Sequence, residues 1–183
     1  GHIELATHFI AALGLLCYTL WFALGLLETP AKKVINARLQ RIMLAIIIVL
    51  FFQLIYGAFM AGLRAASTAP TWPDINGQII PGGLAELSPF SKNLLYNKIT
   101  VHFIHRGLAY LLFALITYWY FAASAIKDNP LFTKLRSWVL FLVIVQVVLG
   151  ICTVLNATYP TRLILFGVSH QFVAMSLLIC VVA

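Results

Sequence analysis

Charge is what this sequence has least of. Only 9% of its 183 residues are Asp, Glu, Lys or Arg, and just five are acidic; a soluble domain carries roughly 25% charged residues. A water-solvated globular enzyme is excluded on that ground. Cysteine is scarce too. Cys17, Cys152 and Cys180 all fall inside apolar runs and no CxxC pair occurs, so a loop disulfide framework and a redox dithiol are excluded. CxxCH is also absent, which rules out covalent attachment of a haem. No basic stretch precedes the first apolar run and four more runs follow it, so residues 1–27 are not a signal peptide. The net charge of +7 does not describe a nucleic-acid surface, because the basic residues are dispersed over short loops.

What is present is apolar. Hydrophobic residues make up 62% of the chain and the mean hydropathy is +0.99. They form five runs of about 19–26 residues, each long enough to cross a hydrocarbon core of about 30 Å. We place the spans at 5–27, 42–62, 99–124, 137–155 and 163–183. A lipid-embedded backbone has to satisfy its own hydrogen bonds, and barrel-type alternation is missing, so the spans are helices. The expectation is an all-α polytopic membrane protein whose last four helices form a bundle. The chain starts at Gly1 and ends at Ala183 inside an apolar run, which reads as a piece of a longer protein.

Orientation follows from the loops. Segment 28–41 carries Lys32, Lys33, Arg38 and Arg41, and segment 125–136 carries Lys127, Lys134 and Arg136. The longer loop 63–98 has Arg64, Lys92 and Lys98, and the loop near 156–162 has Arg162. The excess of positive charge in the two shorter segments places them in the cytoplasm and loop 63–98 outside. Rich in Pro and Gly (TAPTWPDINGQIIPGG) and then mildly amphipathic, that loop is expected to form a folded cap.

The ionisable groups inside spans are the functional candidates. His8, His105 and His170 lie well within helices, while His102 is near the outer mouth of span three. His105 and His170 each sit about seven residues into spans that enter from outside, which puts both roughly 10 Å below the outer surface. Such a pair can supply two axial ligands to a haem iron; the alternative is that each histidine makes an interhelical hydrogen bond. Arg106 could meet a haem propionate or snorkel to the interface, and Arg64 carries the same two readings. Gln53 and Gln146 both open a Q-x-x-x-G sequence and read as interhelical hydrogen-bond formers, with ligand contact as a second role. Gly57 with Ala61, and Ala58 with Gly62, allow close helix approach. ATHFIAALGLL (6–16) also echoes VSHQFVAMSLL (168–178), setting Thr7-His8 on Ser169-His170. The echo suggests duplicated half-bundles: residues 1–27 as the last helix of one, 28–41 as a cytoplasmic linker and 42–183 as the other.

GAFMAGLRA (57–65), TWPDINGQIIP (71–81), NKITVHFIHR (97–106), QVVLGICTVLNA (146–157) and SHQ (169–171) follow one another in that order, and the set resembles the haem A synthase family. The resemblance implies an eight-helix oxidoreductase of which this chain would be helices four to eight. It implies oxidation of a methyl group of haem O to a formyl group, giving haem A for terminal oxidases. It also implies a haem b held between His105 and His170 in the second half. His8 would be one of two histidines at the substrate haem, and would serve as its iron ligand. The other, with a glutamate thought important for the chemistry, would lie before residue 1, so no catalytic residue is assigned here. Implied partners are haem O, membrane lipid, a haem O synthase and a second copy of the chain; nucleic acid is not among them. A bacterial plasma membrane is the expected location. An electron-transferring b-type cytochrome subunit, which needs no substrate half, is the alternative.

Overall fold

The computed structural model describes residues 1–26 and 34–183. The described residues form six α-helices: α1 (His2–Leu26), α2 (Ala37–Gly62), the short α3 (Ser91–Tyr96), α4 (Lys98–Ala122), α5 (Pro130–Leu155) and α6 (Pro160–Val182). They contain no strand, only an isolated bridge between Ile75 and Gln78. Five of the helices are long and apolar enough to cross a membrane, and the chain is an integral membrane protein. Lys32 and Lys33 of the basic segment, and the boundary expected near residue 27, fall outside the described residues.

The long helices start earlier than the apolar runs imply. α2 begins five residues before residue 42 and α5 seven before residue 137, because capping decides the start, not hydropathy. The Asn36 side chain accepts from the Arg38 and Leu39 N–H groups, and that of Asn129 from Phe132. Both satisfy donors that a helix N-terminus leaves open. Pro130 and Pro160 occupy the first turns of α5 and α6, where a missing N–H costs nothing. The basic residues Arg38, Arg41, Lys134 and Arg136, taken from sequence as loop residues, therefore ride on helical turns.

Helices α2, α4, α5 and α6 close into a ring. α2 packs on α4 and α5 on α6 as the two tightest pairs, joined by α4–α5 and α2–α6 contacts. α1 lies outside, against α2 and α6. Its approach is close at one point: a Cβ on Gly62 would stand 2.5 Å from the Cβ of His2, so only glycine fits there. The main apolar core contains Ile46, Leu50, Ile116, Val139, Val143 and Leu177. On every helix of the ring these lie between the polar layer of Gln53, His105, Gln146 and His170 and the end remote from loop 63–98. Apolar packing thus closes that end, and the polar side chains gather toward the loop.

Candidate functional site

The site is built from α4 outward. Asn97 caps this helix, its Oδ1 accepting from Ile99 N at 3.0 Å and Thr100 N at 3.3 Å. Its amide also donates to Gly83 O at 2.7 Å and Asn93 Oδ1 at 2.9 Å. The fully buried Asn93 donates to Leu87 O and Phe90 O and accepts from Leu87 N. Thr100 Oγ1 donates to Leu84 O. Gly83 has φ +83°, a left-handed conformation that glycine adopts without steric cost. Two asparagines and a threonine thereby stitch the long loop onto the mouth of α4. The expectation of a folded cap holds.

Arg106, six residues beyond Thr100 on α4, is the second anchor. It is buried at 8% exposure. Its Nη1 donates to Asp74 O at 2.6 Å, its Nη2 to Thr71 O, and its Nε to His102 Nε2 at 3.0 Å. The guanidinium grips the backbone of the 71–74 turn instead of reaching to the interface. That turn is itself ordered: Asn76 N donates to Thr71 Oγ1 at 2.8 Å and Gly77 N to Asp74 Oδ1 at 2.9 Å. The Gly77 N–H holds the Asp74 carboxyl below the usual carboxylate range. His102 is fully buried and receives the Arg106 bond, which makes it part of the cap anchor.

His105 and His170 meet across the bundle. Their ring centres are 6.5 Å apart and the planes cross at 70°. Each ring rests on a neighbouring helix at a Q-x-x-x-G sequence. Gln53 Nε2 stands 3.4 Å from His105 Nε2, and a Cβ on Gly57 would lie 3.4 Å from the His105 ring. Gln146 Nε2 stands 3.2 Å from His170 Nε2, and a Cβ on Gly150 would lie 3.1 Å from the His170 ring. His170 Nδ1 also donates to Gln146 O at 3.1 Å. Gln53 Oε1, Gln146 Oε1 and His105 Nδ1 are buried with no hydrogen-bond partner. Unsatisfied buried polar atoms are few in native proteins, and three of them converge on one layer here.

The donor set limits what can bind. Among the described residues no group of three or more His, Cys, Asp or Glu comes together, so the pair has no third protein ligand with which to build a zinc-type site. Two imidazoles suit a metal that brings its own in-plane ligands. His105 and His170 would be the two side chains to hold such a metal, with ring centres 6.5 Å apart.

The remaining candidates lie elsewhere. His8 is exposed on α1 and Arg64 is exposed at the turn after α2, with φ 51°; neither joins the histidine pair. The Thr7-His8 and Ser169-His170 echo persists locally. Thr7 Oγ1 donates to Ile3 O and Ser169 Oγ to Leu165 O, each at 2.9 Å. Sequence reasoning gave Gln53 and Gln146 their interhelical role. It took Gly57 for helix approach alone and missed the bed it makes for His105. The repeated Q-x-x-x-G was the available signal. The carbonyls that hold Arg106 had no signal, since every residue has one.

The sequence profile of the cytochrome oxidase assembly protein family matches residues 1–182. The chain is similar to the "Heme A synthase" of Bartonella tribocorum, with 33% identity over 98% of this chain and 49% of that protein. It is also similar to the proteins of the same name from Rhizobium meliloti (39% identity, 92% of this chain, 45% of that protein) and Bradyrhizobium diazoefficiens (37%, 96% and 48%). The chain spans about half the length of the curated relatives it matches. No solved structure matches.

Hydrogen bonds to a charged group contribute about 1.5–3 kcal/mol each. Arg106→Ala removes the anchor of the 71–74 turn and should speed limited proteolysis within 71–81 at least about tenfold, an opening cost of about 1.4 kcal/mol. Cleavage at the wild-type rate would show that the turn is held by other contacts.

Proposed function

Because the chain belongs to the haem A synthase family, we propose that it is the haem b-holding part of a membrane oxidoreductase that converts a methyl group of haem O to a formyl group. His105 and His170 are the two axial ligands. The observation that carries this reading is the facing pair of imidazoles at 6.5 Å, with no further protein donor beside it among the described residues. The buried unpartnered amide oxygens and His105 Nδ1 in the same layer support a ligand there.

A bound haem b supplies one-electron chemistry, and the protein supplies orientation and a dry setting. His170 presents Nε2 with its lone pair, because its Nδ1–H is spent on Gln146 O. The apolar core around Ile46, Ile116, Val143 and Leu177 keeps water from one side of the pair. The cap held by Arg106, Asn93 and Asn97 covers the approach from the other. Arg106 spends Nη1 and Nη2 on loop carbonyls and Nε on His102, so a propionate contact from this side chain shares or displaces those bonds. His8, exposed on α1, is free to face a second bundle, where the family places the substrate haem O. The b-type cytochrome alternative uses the same histidine pair; similarity to synthases over 92–98% of this chain favours the synthase.

We place the basic segments around Arg38, Arg41, Lys127, Lys134 and Arg136 in the cytoplasm, and loop 63–98 on the outer side of a bacterial plasma membrane. A cysteine introduced at Ile79, which is 86% exposed, should react with a membrane-impermeant thiol reagent in intact spheroplasts. Reaction only after lysis would invert the topology.

The ligand assignment is tested in the full-length protein. His105→Ala and His170→Ala should each abolish the six-coordinate low-spin haem b absorption in protein purified from membranes. An unchanged bis-histidine spectrum in both variants would sink the assignment.

A further inference from the structure

The two histidines are held on the same plan, His170 more tightly than His105. In a helix each Cα–Cβ bond tilts toward the N-terminus, so the side chain four residues on lies over a given carbonyl. At position 150 there is none. The Gln146 carbonyl, already an acceptor in the α5 ladder, is therefore open sideways, and His170 Nδ1 reaches it at 3.1 Å. A backbone carbonyl only accepts, so Nδ1 carries the hydrogen and Nε2 the lone pair. The Gln146 side-chain amide then donates toward that lone pair at 3.2 Å. A Cβ at 150 would stand 3.1 Å from Cε1 and 3.6 Å from Nδ1 of this ring, in the path of the bond. His105 lies on the same kind of bed. Gln53 Nε2 is 3.4 Å from its Nε2, and a Cβ on Gly57 would be 3.4 Å from Cε1 and 4.0 Å from Nδ1. Its Nδ1 makes no full hydrogen bond, although the Gln53 backbone acts on the ring as the Gln146 backbone does on His170.

We propose that Gln146 and Gly150 act as positioning residues that set the tautomer and donor strength of His170: Gly150 uncovers the Gln146 carbonyl for Nδ1–H, and the Gln146 amide occupies Nε2 until a metal takes its place. The proposal rests on His170 being a haem ligand, as argued above. Hydrogen bonding of the distal ring N–H fixes ring orientation and raises the basicity of a metal-bound imidazole. A more basic ligand favours the ferric state and lowers the midpoint potential. His170 is accordingly the stronger donor of the pair and His105 the weaker. A Cβ at 150 crowds the ring at 3.1 Å, so the ring has to shift by a few tenths of an ångström and the Nδ1–H bond to Gln146 O weakens.

The experiment uses the full-length protein with its haem, purified from membranes as wild type, Gly150→Ala and Gly57→Ala, with potentiometric titration and low-spin electron paramagnetic resonance as readouts. The midpoint potential of Gly150→Ala should move positive and its g-value spread should change. The shift in Gly57→Ala should be smaller, because a Cβ there stands further from the ring and the Nδ1 contact with the Gln53 backbone is weaker to begin with. A wild-type potential and spectrum in haem-loaded Gly150→Ala would overturn the proposal, as would an equal or larger shift in Gly57→Ala. If Gly150→Ala does not fold, nitrogen-15 magnetic resonance of histidine-labelled, haem-free wild type decides. The Nδ1–H tautomer at His170 supports the proposal and the Nε2–H tautomer overturns it. Wild-type protein lacking a bis-histidine haem would instead contradict the ligand reading, while the tautomer result would still stand.

Discussion

An imidazole buried among lipid-facing helices needs an answer for each of its two ring nitrogens, since an unpaired polar group there is costly. Much of this bundle is arranged around that demand, made twice at one depth. Helices α2 and α5 carry a glutamine to address one nitrogen and, four residues on, a glycine to admit the ring. Helices α4 and α6 carry the histidines. The ring of four helices makes the two beds face each other, which brings the imidazole centres to 6.5 Å. Apolar packing closes the bundle beyond them. The cap, fastened through Asn93, Asn97, Thr100 and Arg106, closes the end toward the long loop.

The helices and the histidine pair were legible in the sequence because each has a signal of its own. Runs of about 20 apolar residues have few other meanings, and a histidine within such a run stands out by cost. Helix starts were less legible. Asn36 and Asn129 extend α2 and α5 into basic turns that hydropathy assigns to loops. The paired Q-x-x-x-G sequences could be seen, but not what they do. A glycine that receives a ring and one that receives a backbone look the same in one dimension. Gly62, facing the His2 backbone and Cβ, is of the second kind, and Gly150, facing the His170 ring, is of the first. Arg106 was the least legible. Its position next to His105 suggested a ligand contact or the interface. Its observed partners are His102 on its own helix and the carbonyls of Thr71 and Asp74, the last two supplied by a loop whose conformation depends on long-range contacts.

One helix, α1, stands outside a ring of four and keeps most of its surface exposed, with only Ala6 and Leu13 buried. The relatives are about twice as long as the matched segment. In the proposed enzyme the exposed face of α1, with His8 on it, belongs to a second bundle where the substrate haem is handled. In the same proposal the four-helix ring holds the other haem. The two roles place opposite demands on the protein. A substrate site has to admit and release its ligand, whereas a resident cofactor is best held by two protein ligands in a capped bundle. Under the proposed function, the features around His105 and His170 answer the second demand.

The central claim is that these two side chains ligate one iron. Electron–nuclear double resonance on the full-length protein with nitrogen-15 histidine, compared with the unlabelled protein, tests it most directly. The account predicts a low-spin ferric haem b coupled to two labelled imidazole nitrogens in the wild type; in His105→Ala and in His170→Ala that signal is lost, and haem that stays bound shows only the one remaining histidine coupling. A low-spin haem b signal whose histidine couplings persist in both variants would contradict it.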